Sequence, residues 1–160
     1  MKKKLVLISF ALLLVSGLIL LGCSQRTELP TAEYTIEDVV YVGGISSATK
    51  DSIREMKAGT KVIIKDDYLS IIFPDSSTMQ WTDIKFIKDK LTDEFIRSKY
   101  HEEDEQLMTF FNEYSERYRY SLFDKDENQI NYYLFQMDDE LFISQFAKDD
   151  SLIFSIDKIA

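Results

Sequence analysis

The sequence predicts a mainly antiparallel β protein, a curved sheet or small barrel with one or two helices in its middle. Short runs rich in aromatic and β-branched residues recur from residue 34 to the end of the chain. Around residues 91–114, apolar residues instead follow the 3.6-residue period of a helix. The breaks between the last four runs are too short for the crossovers that parallel strands need. An α+β fold, with an antiparallel sheet packed on helices, is the alternative.

The first elements are a strand and a short helix. Residues 39–42 (VVYV) are typical of a strand because β-branched and aromatic side chains suit a pleated sheet. Residues 46–57 fit a short helix, with Ile53 and Met56 facing inward and Gly59 ending it.

A hairpin follows, formed by residues 60–65 and 68–73 around the turn Asp66-Asp67. The segment PDSS, residues 74–77, predicts a second turn. A third strand should follow it, through Met79, Trp81 and Phe86.

Two helices are predicted in the middle of the chain. The first has Thr92 as its N-cap and the apolar residues Leu91, Phe95, Ile96 and Tyr100. The second carries an apolar face at i, i+3, i+4 and i+7, formed by Leu107, Phe110, Phe111 and Tyr114. Residues 102–105 (EEDE) lie at its start, where carboxylates interact favourably with the helix dipole.

Four closely spaced strands complete the chain, at residues 117–123, 129–137, 141–147 and 151–156. Their short acidic breaks predict an antiparallel meander, which brings the total to about seven or eight strands. Residues 132–135 (YYLF) place large groups on both sides of the second of these strands. We therefore expect a sheet that is covered on both faces.

The N-terminus has the plan of an exported protein. Lys2, Lys3 and Lys4 precede an uncharged apolar run, residues 5–21. This order is typical of a secretory signal, although the run is only slightly shorter than a membrane-spanning helix, so an uncleaved anchor is the alternative. In both cases the lysines favour export of the chain that follows.

The segment Leu20-Leu21-Gly22-Cys23 resembles the lipobox of bacterial lipoproteins. This resemblance implies a diacylglyceryl group on the Cys23 thiol and cleavage just before Cys23. Two acyl chains give stable membrane anchoring, and a lone cysteine has no partner for an internal disulfide. The chain then divides into a lipoprotein signal peptide (residues 1–22), a tether (23–33) and a single extracytoplasmic β-rich domain (34–160), on a cell membrane.

The composition excludes some classes of partner. Without residues 1–22, the chain has 16 Lys and Arg side chains and 28 Asp and Glu side chains, a net charge of −12. Such a charge disfavours binding to nucleic acid, whose phosphates need Lys and Arg, and direct adhesion to anionic lipid headgroups.

No residue pattern indicates catalysis, a metal or a cofactor, so we expect the chain not to be an enzyme. The segment Asp124, Asp126 and Asn128 has the first spacings of a calcium loop but lacks the required Gly and Glu, which favours a hairpin turn. His101 stands alone among carboxylates, whereas zinc needs several nitrogen or sulfur donors.

Aromatic side chains are the candidate binding residues. Tyr and Trp combine a large apolar area with a polar tip, and both line ligand cavities. We selected Trp81, Tyr118, Tyr120 and Tyr132 as candidate ligand-binding residues. In architecture the predicted domain is loosely similar to lipocalin-like lipoproteins. The expected function is therefore binding of a small apolar ligand; the alternative is a protein-interaction or inhibitor-type lipoprotein, with an envelope protein as partner and no small ligand.

Overall fold

The computed structural model describes residues 29–43, 49–100, 104–147 and 153–160, which form nine strands and three short helices. The strands are β1 (Ala32–Val42), β2 (Lys61–Lys65), β3 (Tyr68–Ile72), β4 (Thr78–Thr82), β5 (Lys85–Lys90), β6 (Arg117–Phe123), β7 (Gln129–Met137), β8 (Glu140–Phe146) and β9 (Ile153–Ile159). The helices are α1 (Lys50–Lys57), α2 (Asp93–Lys99) and α3 (Glu105–Asn112). Cys23 and His101 lie outside the described residues.

All strands belong to one antiparallel sheet with the order β4-β3-β2-β1-β9-β8-β7-β6-β5. The first half of β1 pairs with β2, and its second half pairs with β9. The register of the β1–β9 pair shifts twice, between Ile36 and Asp38 and between Val39 and Tyr41, and such irregularities bend a strand. The sheet curls into a half-barrel, which confirms the predicted antiparallel β class and is consistent with a lipocalin-like fold.

The sheet has more strands than predicted because the expected third strand is two strands. It divides at Asp83, which has a positive φ of 55°, and only Asp83 and Ile84 connect β4 to β5. These two strands form opposite edges of the sheet. A two-residue connection between opposite edges is possible only because the sheet curls. At its N-terminal side, β1 begins at Ala32. Ala32 and Glu33 therefore lie in the sheet rather than in the segment predicted to be the tether.

Two apolar layers cover the two faces of the sheet, as the pattern of residues 132–135 predicts. The inner core fills the inside of the curl and comprises Leu29, Val62, Ile64, Leu69, Ile71, Ile84, Tyr120, Leu122, Ile130, Tyr132, Leu134, Leu141, Ile143 and Ile159. The outer core lies under α2 and α3 and comprises Tyr41, Leu91, Ile96, Tyr100, Leu107, Phe110, Phe111, Tyr133, Phe135, Met137, Phe142, Phe146, Ile153 and Ile156. Strand β7 supplies alternate residues to both layers.

Helices α2 and α3 form as the sequence predicts. The Thr92 Oγ1 atom accepts a hydrogen bond from Phe95 N at 3.1 Å, and the Asp104 Oδ1 atom caps α3 by accepting one from Leu107 N at 2.9 Å. The apolar face of α3 packs on the sheet through Leu107, Phe110 and Phe111.

Helix α1 departs from the prediction. None of its residues is fully buried, and Met56, which we expected to face inward, is 67% exposed. The helix is instead held by long cationic side chains. Lys50 Nζ donates to the Val40 carbonyl at 3.0 Å, and Arg54 Nε donates to Asp38 Oδ1 at 2.7 Å.

Candidate functional site

The fold brings the predicted aromatic residues to the inside of the curl. Tyr120 and Tyr132 are buried in the inner core, and Trp81 and Tyr118 pack against it while partly exposed. The rings of Trp81 on β4 and Tyr132 on β7 lie 5.4 Å apart. Lys88 Nζ lies 4.0 Å from the centre of the Tyr118 ring and 5.3 Å from that of Tyr120, so it links these two tyrosines. The four aromatic residues thus form two separate pairs rather than one aromatic box.

The inside of the curl leaves little room beside these rings. One cavity of about 30 Å³ opens into it, lined by Ile36, Lys57, Thr60, Val62, Ile71, Phe73, Tyr132, Ile143, Gln145 and Asp157. A pocket for a drug-sized ligand needs roughly 300 Å³ or more, whereas about 30 Å³ is the share of one water molecule in the liquid. In this conformation the cavity accommodates a water molecule but not an apolar ligand.

A buried polar cluster lies at one side of this cavity. Lys57 Nζ, on the last residue of α1, donates to Asp157 Oδ2 at 2.5 Å and to Ser155 Oγ at 2.6 Å. Burial raises the pKa of Asp157 above its ordinary value, and Lys57 opposes this shift by attracting the carboxylate. Among the described residues, Asp157 Oδ1 and Thr60 Oγ1 have no hydrogen-bond partner, and both residues line the cavity.

This cluster has the chemistry of a structural ion pair. Lys57 donates to Ser155 Oγ and to Asp157 Oδ2, and Ser155 Oγ in turn donates to Asp157 Oδ2 at 3.4 Å. The three side chains therefore form one buried polar network. Over the residues that the structure describes, no group of three or more His, Cys, Asp or Glu side chains is placed to hold a metal ion.

A larger concavity lies on the outside of the domain, between α3 and the second half of β1. We call it the α3 groove: it has a volume of about 560 Å³ and is lined by Val40, Glu105, Gln106, Thr109, Phe110, Glu113 and Tyr114. Its floor is apolar, since Val40, Phe110 and Tyr114 all pack against the outer core. Its rim is polar and exposed.

Two tyrosine–carboxylate contacts hold the walls of the α3 groove. The Tyr41 hydroxyl on β1 donates to Asp104 Oδ2 at the start of α3, and the Tyr114 hydroxyl donates to Glu140 Oε2 on β8 at 2.9 Å. Burial, followed by the neighbouring carboxylate, raises the pKa of both tyrosines. Both hydroxyls therefore stay protonated at neutral pH and continue to donate.

Sequence reasoning predicted the buried face of α3 but missed the groove beside it. The available signal was the neighbouring stripe Glu105, Thr109 and Glu113, spaced four residues apart on one side of the helix. The structure also contains a smaller depression of about 260 Å³ between α2 and α3, lined by Asp93, Ile96, Arg97, Met108 and Asn112.

The chain was also compared with known proteins. A scan against protein-family models found no match, and searches of curated proteins and of solved structures found none either. Among the helices of the described residues, none is long and apolar enough to span a membrane.

Proposed function

We propose that this chain is a membrane-anchored extracytoplasmic lipoprotein whose domain acts by binding another protein. The observation that carries this proposal is the contrast between the two concavities. The cavity beside Tyr132 inside the curl measures about 30 Å³, whereas the α3 groove on the outside measures about 560 Å³. Recognition through the outer surface needs no rearrangement of the inner core.

The anchor in this proposal is supported by the sequence of the N-terminus. Three lysines, an uncharged apolar run and Leu20-Leu21-Gly22-Cys23 follow one another in the order of a lipoprotein signal. Because Leu29 belongs to the inner core, the chain from Cys23 to Leu29 reaches at most about 22 Å, so the domain would meet partners close to the bilayer.

A small apolar ligand is the second candidate, favoured by the lining of the inner cavity. Val62, Ile71, Tyr132 and Ile143 supply apolar surface there. This function requires an enlarged cavity. Displacement of α1 would enlarge it, because Lys57 of α1 lines one side of the cavity and α1 has no fully buried side chain to hold it in place.

Photo-crosslinking together with native mass spectrometry separates the two candidates. A photoreactive amino acid at residue 109, in the α3 groove, should give a discrete crosslinked protein on intact cells. The same amino acid at residue 126, in the β6–β7 turn, serves as the control.

In native mass spectrometry, the mass of the detergent-extracted chain should equal that of polypeptide plus lipid. A stoichiometric small apolar molecule, with no protein crosslinked from residue 109, would overturn the proposal in favour of the second candidate.

A further inference from the structure

The shape of the α3 groove suits an apolar segment. Phe110 is 7% exposed, and its ring meets those of Tyr114 at 5.5 Å and Phe142 at 5.2 Å. This packing fixes the floor. Val40 and Tyr114, at the two sides, are only partly buried. A segment with apolar side chains would cover these surfaces without displacing any core residue.

The charged side chains of α3 and its flanks are all negative. Helix α3 and its flanks, residues 104–116, contain Asp104, Glu105, Glu113 and Glu116 and no Lys or Arg. Glu105 and Glu113 are exposed and line the groove. Carboxylates on the rim of an apolar groove attract a cationic partner and repel an anionic one, which affects association rate and specificity more than affinity.

The cations that contact α3 and its neighbouring strands do not neutralise this rim. Arg117 donates to the Phe111 carbonyl of α3 and pairs with Asp93. Lys158 pairs with Glu140 at 2.7 Å and with Glu37 at 3.5 Å. Lys50 donates to the backbone carbonyl of Val40. No ion pair to Glu105 or Glu113 is found among the described residues, so both carboxylates are available to a partner.

The groove also lies away from the end of the domain at which the tether joins. Val40 is eight residues beyond Ala32 along β1, a distance of at most about 26 Å at the usual rise of a strand and less where the register shifts bend β1. A partner can therefore reach the groove without contacting the bilayer that holds Cys23.

We infer that the α3 groove binds a basic, amphipathic segment of a partner protein, with apolar side chains on Val40, Phe110 and Tyr114 and Lys or Arg beside Glu105 and Glu113. This inference deepens the proposed protein-binding function and depends on it. The partner segment carries the charge opposite to that of the whole domain.

A defined peptide tests the inference on the full chain, reconstituted in nanodiscs of zwitterionic phosphatidylcholine. The probe is a fluorescent peptide of about 14 residues, four helical turns, with Leu at i, i+3, i+4 and i+7 and Lys elsewhere. The reference peptide has Glu in place of Lys, and empty nanodiscs give the background. Fluorescence anisotropy should show binding of the Lys peptide and none of the Glu peptide. Raising the salt concentration should weaken this binding because exposed charges are screened.

Two double variants locate the binding. Glu105→Lys/Glu113→Lys should weaken binding of the Lys peptide by about tenfold or more. Asp67→Lys/Asp126→Lys makes the same change of net charge in two exposed hairpin turns and should change binding less than about twofold. Thr109→Trp should also abolish binding, because it fills the groove without changing charge, and circular dichroism checks that each variant is folded.

Two results overturn the inference: no binding of the Lys peptide, or equal weakening by both double variants. Neither result by itself overturns the proposed function, which the crosslinking experiment tests separately. A protein crosslinked from residue 109 in cells would still support protein binding, with a partner that is not basic.

Discussion

Lys57, the last residue of α1, forms an ion pair with Asp157 on β9, 100 residues further along the chain, with an Nζ–Oδ2 distance of 2.5 Å. The two side chains are only 18% and 5% exposed. A second ion pair that joins α1 to the sheet, Arg54 with Asp38, is 46% and 40% exposed. Because α1 has no fully buried side chain, the buried Lys57–Asp157 pair is the stronger of these two contacts that fix it over the inner cavity.

Removing Lys57 should destabilise the fold strongly. In Lys57→Met the Asp157 carboxylate stays buried without its cation, which typically costs about 3–5 kcal/mol. Lys61→Met is the matched control, because its partner Glu33 and Lys61 itself are each 53% exposed, and such pairs contribute about 1 kcal/mol or less. Urea unfolding at pH 7 measures both. Equal losses in the two variants would show that the Lys57–Asp157 pair is no more important than a surface pair.

The loss of folding stability in Lys57→Met should depend on pH. The pKa of Asp157 is raised in the folded chain, so the folded state binds this proton more tightly than the unfolded state. The charged form therefore costs stability at neutral pH, and this cost falls as the pH drops through the folded pKa towards the ordinary value of 3.8. Because loss of Lys57 raises the cost, the difference between variant and parent should shrink as the pH falls from 7 towards 3.8. A constant difference would contradict this explanation.

Loss of Phe111 from the outer core should lower the stability of both cores together, because β7 contributes residues to both. Phe111 is fully buried, stacks on Tyr100 at 5.4 Å and meets Phe135 of β7 at 5.7 Å. Phe111→Ala should cost about 3–5 kcal/mol, whereas Met56→Ala, at a site 67% exposed, should cost little. Trp81, the only tryptophan, reports on the inner core, on the other side of the sheet. In Phe111→Ala, Trp81 fluorescence and circular dichroism should both report unfolding at the same urea midpoint, lower than that of the parent.

Local patterns predicted those elements in which neighbouring residues determine the structure. Thr92 caps α2 and the apolar face of α3 is buried because capping and the 3.6-residue period depend on residues within one or two turns. The division between β4 and β5 was missed although Asp83 is a local signal for it, since Asp is depleted in strands and tolerates a positive φ. That β4 and β5 lie on opposite edges depends on the order of the whole sheet, which no local pattern shows.

The candidate site was harder to predict because it depends on contacts between distant segments. Trp81, Tyr120 and Tyr132 were selected for their residue types, which do not show how much space lies beside them in the inner core. Part of that space is filled from β2 and β3, whose position in the sheet relative to β7 no short pattern specifies. Likewise, α1 looked amphipathic from Ile53 and Met56, yet long-range polar contacts of Arg54 and Lys57 decide how it packs.

Arg119 should be replaceable by an apolar residue of similar length. It is 7% exposed, between the rings of Phe95 and Tyr133 at 4.8 and 4.6 Å, and it meets Asp89 at 3.3 Å. Its Nε and Nη1 atoms have no hydrogen-bond partner among the described residues, so burial of the charge is only partly compensated. Arg119→Met should change the free energy of unfolding by less than about 1.5 kcal/mol or increase it, whereas Arg119→Ala should lower it by more because packing is lost. Equal losses would show that the charge itself is needed.

Cys23 should carry the lipid that our functional proposal requires. Mass spectrometry of the N-terminal peptide from membrane-extracted protein should find a diacylglyceryl group on the Cys23 sulfur, with the chain beginning at that residue. Cys23→Ala should remain as an uncleaved precursor, because the proposed processing depends on the modified thiol. Cys23→Ser is the matched control, since it keeps a polar group of similar size and should behave in the same way. A free thiol at Cys23 in the membrane fraction would contradict lipidation and favour an uncleaved apolar anchor, residues 5–21.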